Sequence, residues 1–383
     1  MFFFFLGVLA GLIFGLFPGI HTNTIISILS PLGLAGGDFS LFILGLIPAH
    51  IISSFVPSIF LGTPDEETVI STLAGQKMLA RGQGLVALKT VLFSIVIATL
   101  LSTFLFYFSL NLIPTVYSLI RSYVPYVVLL LSGFFILRTK NPILSLFIFI
   151  LSGMLGYYSL NSGINDVFLP LFSGMFAMGS IITYSKSKIP EQQDNPVSTD
   201  FLKFTVAGVL LGMFSDLLPA VSSPSQISSL ISAFMPMGSI GFLAASSSII
   251  ASREIFSFAS SVAIDKSRNG ATLALVNLID IKSNLLFVIS LYSIGIAIAS
   301  FLVFHYRKIF IEISKLDFSK INIILGVYLF CIVAIINGST GVIIFILASA
   351  VGFLTIRLNI ERTNMMGSII IPTLLLLFKI FII

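Results

Sequence analysis

The chain has 383 residues, of which 57% are hydrophobic and 9% are charged, and its mean hydropathy is +1.12. A soluble domain carries about 25% charged residues, so this composition excludes one and indicates a polytopic membrane protein. Apolar runs such as 127–131 and 371–378 lack the alternation of a transmembrane β-barrel, so we expect an all-α protein. The net charge of +5 fits basic residues at the membrane surface rather than nucleic-acid binding.

The first half of the chain begins with a predicted helix at 2–17, which has neither the basic region nor the cleavage pattern of a signal peptide. Pro18 and Gly19 end this helix, because proline restricts the residue before it and glycine tolerates the turn. A second interrupted segment occupies 39–61. Uninterrupted spans are then predicted at roughly 90–112, 123–138, 142–158 and 167–184.

Residues 185–200 form the most polar stretch of the chain, and we interpret them as a cytoplasmic linker rather than a domain. Beyond them the order of the first half recurs. A helix ends at Pro219, and a serine-rich interrupted region follows. Further spans are predicted at roughly 283–305, 321–336, 340–356 and 366–383. The halves 1–184 and 201–383 are therefore predicted to be repeats of one unit of about 190 residues.

Weak sequence matches support this duplication. The Gly-x-x-x-Gly spacing at 11–15 recurs at 208–212, and another shift places Glu67 on Glu254. Each repeat is expected to contain about five spans, an odd number, so the two repeats are inverted relative to each other. With both termini outside, most of the 20 basic residues fall on the cytoplasmic face. Inverted repeats with interrupted helices are typical of secondary transporters, which bind substrate at the repeat interface.

The Pro18-Gly19 break lies before a predicted half-helix whose start Thr22, Asn23 and Thr24 can cap. The free N–H groups and the dipole of such a helix start attract anions. The alternative is a kinked helix with ordinary caps, but the recurrence of the break in the second half favours an anion site. The predicted substrate-binding residues are Pro18, Gly19, His21, Thr22, Asn23, Thr24, Gly62, Thr63, Pro64, Pro219, Ser222, Ser223, Ser225, Gln226 and Arg253.

Three consecutive acids, Asp65, Glu66 and Glu67, lie in an otherwise apolar region. An ionised carboxylate at bilayer depth costs at least about 2.5 kcal/mol, so such residues usually mark a pathway or a site. The three acids could bind a coupling Na⁺, carry a proton, or cap the helix that begins near Thr68. With Glu254 they are the predicted ion-coupling residues, and no cofactor is expected besides the coupling ion, H⁺ or Na⁺.

Arg253 is a natural partner for a carboxylate or phosphate, and the alternative is an internal ion pair with Glu254 or Glu67. His21 and His50 can titrate near neutral pH, but a hydrogen-bonded structural role is equally open. No catalytic group, metal site or nucleotide-binding P-loop is predicted.

Four segments carry a family resemblance: GLIFGLFPGIHTNT (11–24), GTPDEETVISTLAGQKMLARGQGLVAL (62–88), FLPLFSGMFAMGSII (168–182) and RLNIERTNMMGSIIIPTLL (357–375). In them the chain resembles the large membrane permease subunit of the tripartite tricarboxylate transporter family, TctA, particularly its shorter archaeal-type members. The resemblance implies ion-coupled uptake of small carboxylates, with a separate substrate-binding protein and a small membrane subunit. It points to Pro18, Gly19, Gly62, Thr63 and Pro64. The chain departs from the bacterial pattern in its shorter length, in His21, in the acids after Pro64 and in Ala220.

The sequence thus predicts an ion-coupled secondary transporter of small organic anions, chiefly di- and tricarboxylates, in the cell membrane. The alternative is a transporter or flippase of a lipid-linked phosphate such as polyprenyl phosphate, because the same helix starts suit phosphate. An intramembrane enzyme is more remote, since no residue is an obvious nucleophile, and no enzymatic activity is expected. The expected partners are the organic anion, membrane lipid and the two accessory subunits of the resemblance. A homo-oligomer is left open.

Overall fold

The computed structural model describes residues 1–30, 36–63, 67–184, 189–220, 223–267, 269–314 and 318–380. Within these ranges the chain is helical and contains no strand, which confirms the prediction of an all-α membrane protein. Segments long and apolar enough to cross a membrane are found at Gly36–Leu61, Gly84–Leu137, Pro142–Leu160, Leu285–His305 and Lys320–Arg357.

The α-helices are, in chain order, α1 (Phe2–Phe14), α2 (Thr22–Leu29), α3 (Gly36–Val56), α4 (Val69–Leu79), α5 (Gly84–Ile120), α6 (Val124–Leu137), α7 (Pro142–Leu160), α8 (Phe168–Phe172), α9 (Gly179–Ile182), α10 (Phe201–Gly212), α11 (Pro224–Phe234), α12 (Ser239–Ile264), α13 (Gly270–Leu278), α14 (Leu285–His305), α15 (Arg307–Ser314), α16 (Phe318–Arg357) and α17 (Gly367–Leu377). A π-helical turn, Pro57–Leu61, extends α3, and another, Ser173–Met178, joins α8 to α9. The long α16 is interrupted at Gly338, where φ is 62°.

Two helix interruptions occur where the sequence predicts them. The helix α1 ends before Pro18, Gly19 adopts a φ of 89°, and the 8-residue α2 follows. Likewise α10 ends before Pro219, Ala220 adopts a φ of 62°, and the 11-residue α11 follows. Helices of this length are too short to span a bilayer, which needs about 20 residues. Both therefore start and end without crossing it.

Helices from before the linker pack against helices from after it, and these contacts come in pairs in which the positions of the two partners along the chain are exchanged. The helix α5 packs along α12, and α14 packs along α3. The helix α7 packs on α17, while α16 packs on the α8–α9 segment. Contacts of α2 with α13 are matched by contacts of α11 with α4. In these contacts α3 and α5 pack on α14 and α12, and α2 and α4 contact α13 and α11, so the order of the partners is reversed. Glu67 and Glu254, which a fixed shift in the sequence aligns, lie in different settings: Glu67 precedes α4, whereas Glu254 lies inside α12.

The described part of the linker is tied to α5 and α15. Asp194 accepts hydrogen bonds from Lys89 Nζ at 2.7 Å and from Arg307 Nη2 at 2.9 Å. The hydrogen bond from Lys89 and, as the next largest cause, the one from Arg307 hold the pKa of the Asp194 carboxyl below its usual range. The linker backbone also donates from Gln193 N to Gly82 O at 2.8 Å. These contacts join the linker to one basic residue that precedes it in the sequence and to one that follows it.

Candidate functional site

A cavity of about 410 Å³ lies among the starts of helices that come before and after the linker in the sequence. Its wall includes N-terminal residues of α2, α11 and α13, together with Glu67 before α4 and Arg253 of α12. Apolar residues of α8, α13 and α17, among them Phe168 and Phe172, form another part of the wall. Ligand cavities usually measure about 300–1,000 Å³ and combine apolar walls with a few polar groups, which describes this one.

Each of these helix starts is capped by a side chain. His21 Nδ1 accepts from Asn23 N at 3.3 Å before α2. Ser223 Oγ accepts from Gln226 N at 3.3 Å before α11, and Asn269 Oδ1 accepts from Ala271 N at 3.0 Å before α13. The partial positive charges at the three helix starts make this side of the cavity favourable for an anion.

An ion pair joins two elements across the cavity. Arg253 Nη2 donates a hydrogen bond to Glu67 Oε1, and the two side chains are 12% and 14% exposed. His21 Nε2 lies 3.9 Å from the same Glu67 oxygen. The internal ion pair that the sequence left as the alternative role of Arg253 is therefore present.

Glu254 lies next to this pair but is not part of the cavity wall. Its Oε1 is 3.7 Å from Arg253 Nη2 and accepts a hydrogen bond from Asn269 Nδ2. Glu254 is 3% exposed, and a buried carboxylate is tolerated only when paired or hydrogen-bonded. Asn269 thus links the start of α13 to the charged cluster. Within the described ranges, no three His, Cys, Asp or Glu side chains are arranged to hold a metal ion.

The predicted site residues divide into three groups. On the cavity wall are Gly19, His21, Asn23, Thr24, Glu67, Pro219, Ser223 and Arg253. The wall does not include Pro18, Thr22, Gly62, Thr63, Gln226 or Glu254. The backbone of Ser225 belongs to α11. Outside the described residues are Pro64, Asp65, Glu66 and Ser222. His50 is buried, with its Nε2 donating to Ile20 O at 2.8 Å, which is the structural role left open for it.

Several cavity residues were not predicted, among them Asp166, Ser173, Asp216, Ser267 and Asn269. Asp216 is 3% exposed and lies in an apolar stretch shortly before Pro219. The rule that singled out the acids after Pro64, a carboxylate in an apolar segment, would have found it. Asp166 Oδ1 accepts from Leu169 N at 3.3 Å at the start of α8, which resembles an ordinary cap.

The chain is similar to known proteins along nearly its whole length. The family described as tripartite tricarboxylate transporter TctA matches residues 1–367. The chain belongs to this family. It is also 30% identical over 391 residues to a Methanocaldococcus jannaschii protein described as uncharacterized protein MJ1079, and the match covers 97% of each chain. No solved structure matches. Family membership and the apolar helices make this TctA family member a multi-pass transport permease.

Proposed function

We propose that this protein is a secondary transporter of small organic anions, chiefly di- and tricarboxylates, driven by H⁺ or Na⁺. The observation that carries the proposal is the cavity where three capped helix starts and the Arg253 guanidinium meet. Arginine pairs with carboxylates through a planar fork, and helix starts add favourable dipoles. The family name supports tricarboxylates as the substrate class. We infer transport without an enzymatic step.

The binding site is proposed to lie between two inverted repeats, residues 1–184 and 201–383. The exchanged helix contacts support this arrangement, because two copies of one unit related by a two-fold axis make each contact twice. An odd number of spans in each copy places that axis in the membrane plane. Substrate at such an interface is reached from either side by rocking one repeat against the other.

The orientation is proposed to place both termini outside and the linker in the cytoplasm. Lys89 and Arg307 belong to different halves, and the sequence assigns both to the cytoplasmic face. In the structure both bind Asp194 of the linker, which supports a common face for these three residues.

Ion coupling is supported by the charges around the cavity. Among the described wall residues, Glu67, Asp166 and Asp216 outnumber the single guanidinium of Arg253. An organic anion entering this surplus of carboxylates is repelled unless cations neutralise part of it. Uptake of H⁺ or Na⁺ together with the substrate removes that penalty. The carboxylates are therefore proposed to select the anion with its coupling ion.

The family name implies two partners, a soluble substrate-binding protein and a small membrane subunit. We propose that they deliver and stabilise the substrate at the outer opening of the cavity. Uptake into proteoliposomes of the purified permease, with and without such partners, measures how far transport depends on them.

Gradient-driven uptake tests the proposed function. The protein is reconstituted in liposomes, an inward H⁺ or Na⁺ gradient is imposed, and accumulation of labelled carboxylates is compared with protein-free liposomes. Accumulation that collapses when an ionophore dissipates the gradient is the expected result. No accumulation of any carboxylate, combined with movement of a labelled polyprenyl phosphate between leaflets, would instead establish the lipid-phosphate alternative.

A further inference from the structure

We propose that Glu67 is an internal stand-in for the substrate: its carboxylate binds the Arg253 guanidinium, and a substrate carboxylate replaces it there. Once displaced, Glu67 takes up a proton from the aqueous phase. This exchange couples one substrate carboxylate to one proton. The inference rests on the proposed function, because it specifies how the same cavity binds an organic anion.

The contact between the two residues is incomplete on the arginine side. Arg253 uses Nη2 to bind Glu67, whereas its Nε is buried without a hydrogen-bond partner among the described residues. A guanidinium can bind a carboxylate through two parallel N–H groups. Glu67 thus leaves part of the binding capacity of Arg253 unused. A substrate carboxylate that engages two N–H groups has a more favourable contact than the one it replaces.

Glu67 is also the member of the pair that can move. It lies outside the helices, directly before Thr68, the N-cap of α4, so its side chain can be displaced without moving a helix. Arg253 lies inside α12, which packs against α5 and α10. A fixed arginine with an exchangeable carboxylate suits a binding site, since the receptor group keeps its position while the occupant changes.

The surroundings favour a proton on the displaced carboxyl group. The charged groups that face Glu67 are His21 before α2, Asp216 after α10, and Arg253 and Glu254 in α12. When a substrate neutralises Arg253, the remaining carboxylates repel a negative charge on Glu67 in this buried setting. Protonation of Glu67 removes that repulsion. Entry of a carboxylate and entry of a proton therefore favour each other.

Glu67→Gln tests the exchange, because glutamine keeps the shape of the side chain but carries neither charge nor proton. Binding of a labelled tricarboxylate to the purified protein is measured from about pH 8 to about pH 6. Wild-type affinity is expected to rise about tenfold per pH unit, since one proton is linked to binding. E67Q is expected to bind about tenfold or more tightly at about pH 8, without this pH dependence, and to lose H⁺-driven accumulation.

Two further variants keep the test decisive. Glu67→Asp retains the titratable group and is expected to retain the pH dependence, which covers the case in which E67Q fails to fold. Asp194→Asn removes a carboxylate from an ion pair outside the cavity and is expected to leave affinity unchanged.

The possible outcomes separate this inference from the function it rests on. Wild-type binding combined with unchanged or weaker binding by E67Q would show that the Glu67–Arg253 pair only stabilises the fold, and would overturn the exchange alone. An absence of carboxylate binding and uptake by the wild type would overturn the proposed function itself.

Discussion

The two helix interruptions that face the cavity share a backbone shape but differ in chemistry. Each has a proline followed by a residue with positive φ and then a capped short helix. At the first, Gly19 takes the left-handed conformation and His21 caps α2. At the second, Ala220 takes it, and Ser223 caps α11. The two helix starts thus share a backbone conformation but carry different side chains.

The caps differ in how many backbone groups they satisfy. At α11, Ser223 and Gln226 form a capping box in which each side chain bonds to the backbone of the other. At α2, the His21 ring accepts from the single amide of Asn23. His21 can also change its charge near neutral pH, which Ser223 cannot.

The largest difference in stability is expected between substitutions in the two helices that precede the interruptions, α1 and α10. A Cβ on Gly11 would lie 2.4 Å from the backbone oxygen of Leu46 and 2.9 Å from the backbone nitrogen of His50. One on Gly208 would lie 2.0 Å from the Ser248 hydroxyl, which can rotate, and 2.8 Å from the backbone oxygen of Ala245. Gly11→Ala is therefore expected to lower the free energy of unfolding by about 3 kcal/mol and Gly208→Ala by about 1 kcal/mol. Denaturant unfolding in detergent measures both. Equal losses would show that the two helix pairs pack equally tightly.

The left-handed residues predict effects of opposite sign. Gly19→Ala puts an alanine in a disfavoured backbone conformation, with its Cβ 2.7 Å from Leu329 Cδ2. We therefore expect the free energy of unfolding to fall by about 2 kcal/mol. Ala220→Gly relieves the same strain but adds conformational freedom to the unfolded chain, so we expect the free energy of unfolding to rise by about 0.5 kcal/mol. Melting temperatures of the two variants check this, and a destabilised Ala220→Gly would contradict it.

Loss of the closed cap is expected to have an intermediate effect. Ser223→Ala removes one half of the capping box and is expected to lower the free energy of unfolding by about 1 kcal/mol. His21→Ala removes the hydrogen bond from Asn23 N, which is as long as that of Ser223 but does not belong to a capping box, and we expect about half that loss. The measurement is again unfolding in detergent, at a pH where histidine is neutral. A larger loss for His21→Ala would mean that its contact with Glu67 outweighs its cap.

Sequence reasoning located the interruptions because proline and glycine act locally. It found Glu67 and Arg253 because charges in apolar segments are rare, but the choice between a substrate site and an internal ion pair depended on tertiary packing. Asp216 satisfies the same rule and was overlooked, whereas Asp166 lies beside a helix start, resembles an ordinary cap and gives no comparable local signal. The fixed shift that aligns Glu67 with Glu254 carries no information on local structure, and the structure places Glu67 before α4 and Glu254 inside α12.

The smallest expected effect concerns the charge of His21. Asparagine is among the best N-caps, so His21→Asn keeps the start of α2 while removing the titratable ring. Protonation of His21 adds a positive charge beside the cavity but turns Nδ1 from an acceptor into a donor, which removes its bond to Asn23 N. The wild type is therefore expected to gain about twofold more carboxylate affinity than His21→Asn between about pH 8 and about pH 6. The same labelled-tricarboxylate binding assay measures this difference. A loss of the whole pH dependence in His21→Asn would transfer the coupled proton from Glu67 to His21, and would make the cap of α2, rather than the partner of Arg253, the group that links proton and substrate.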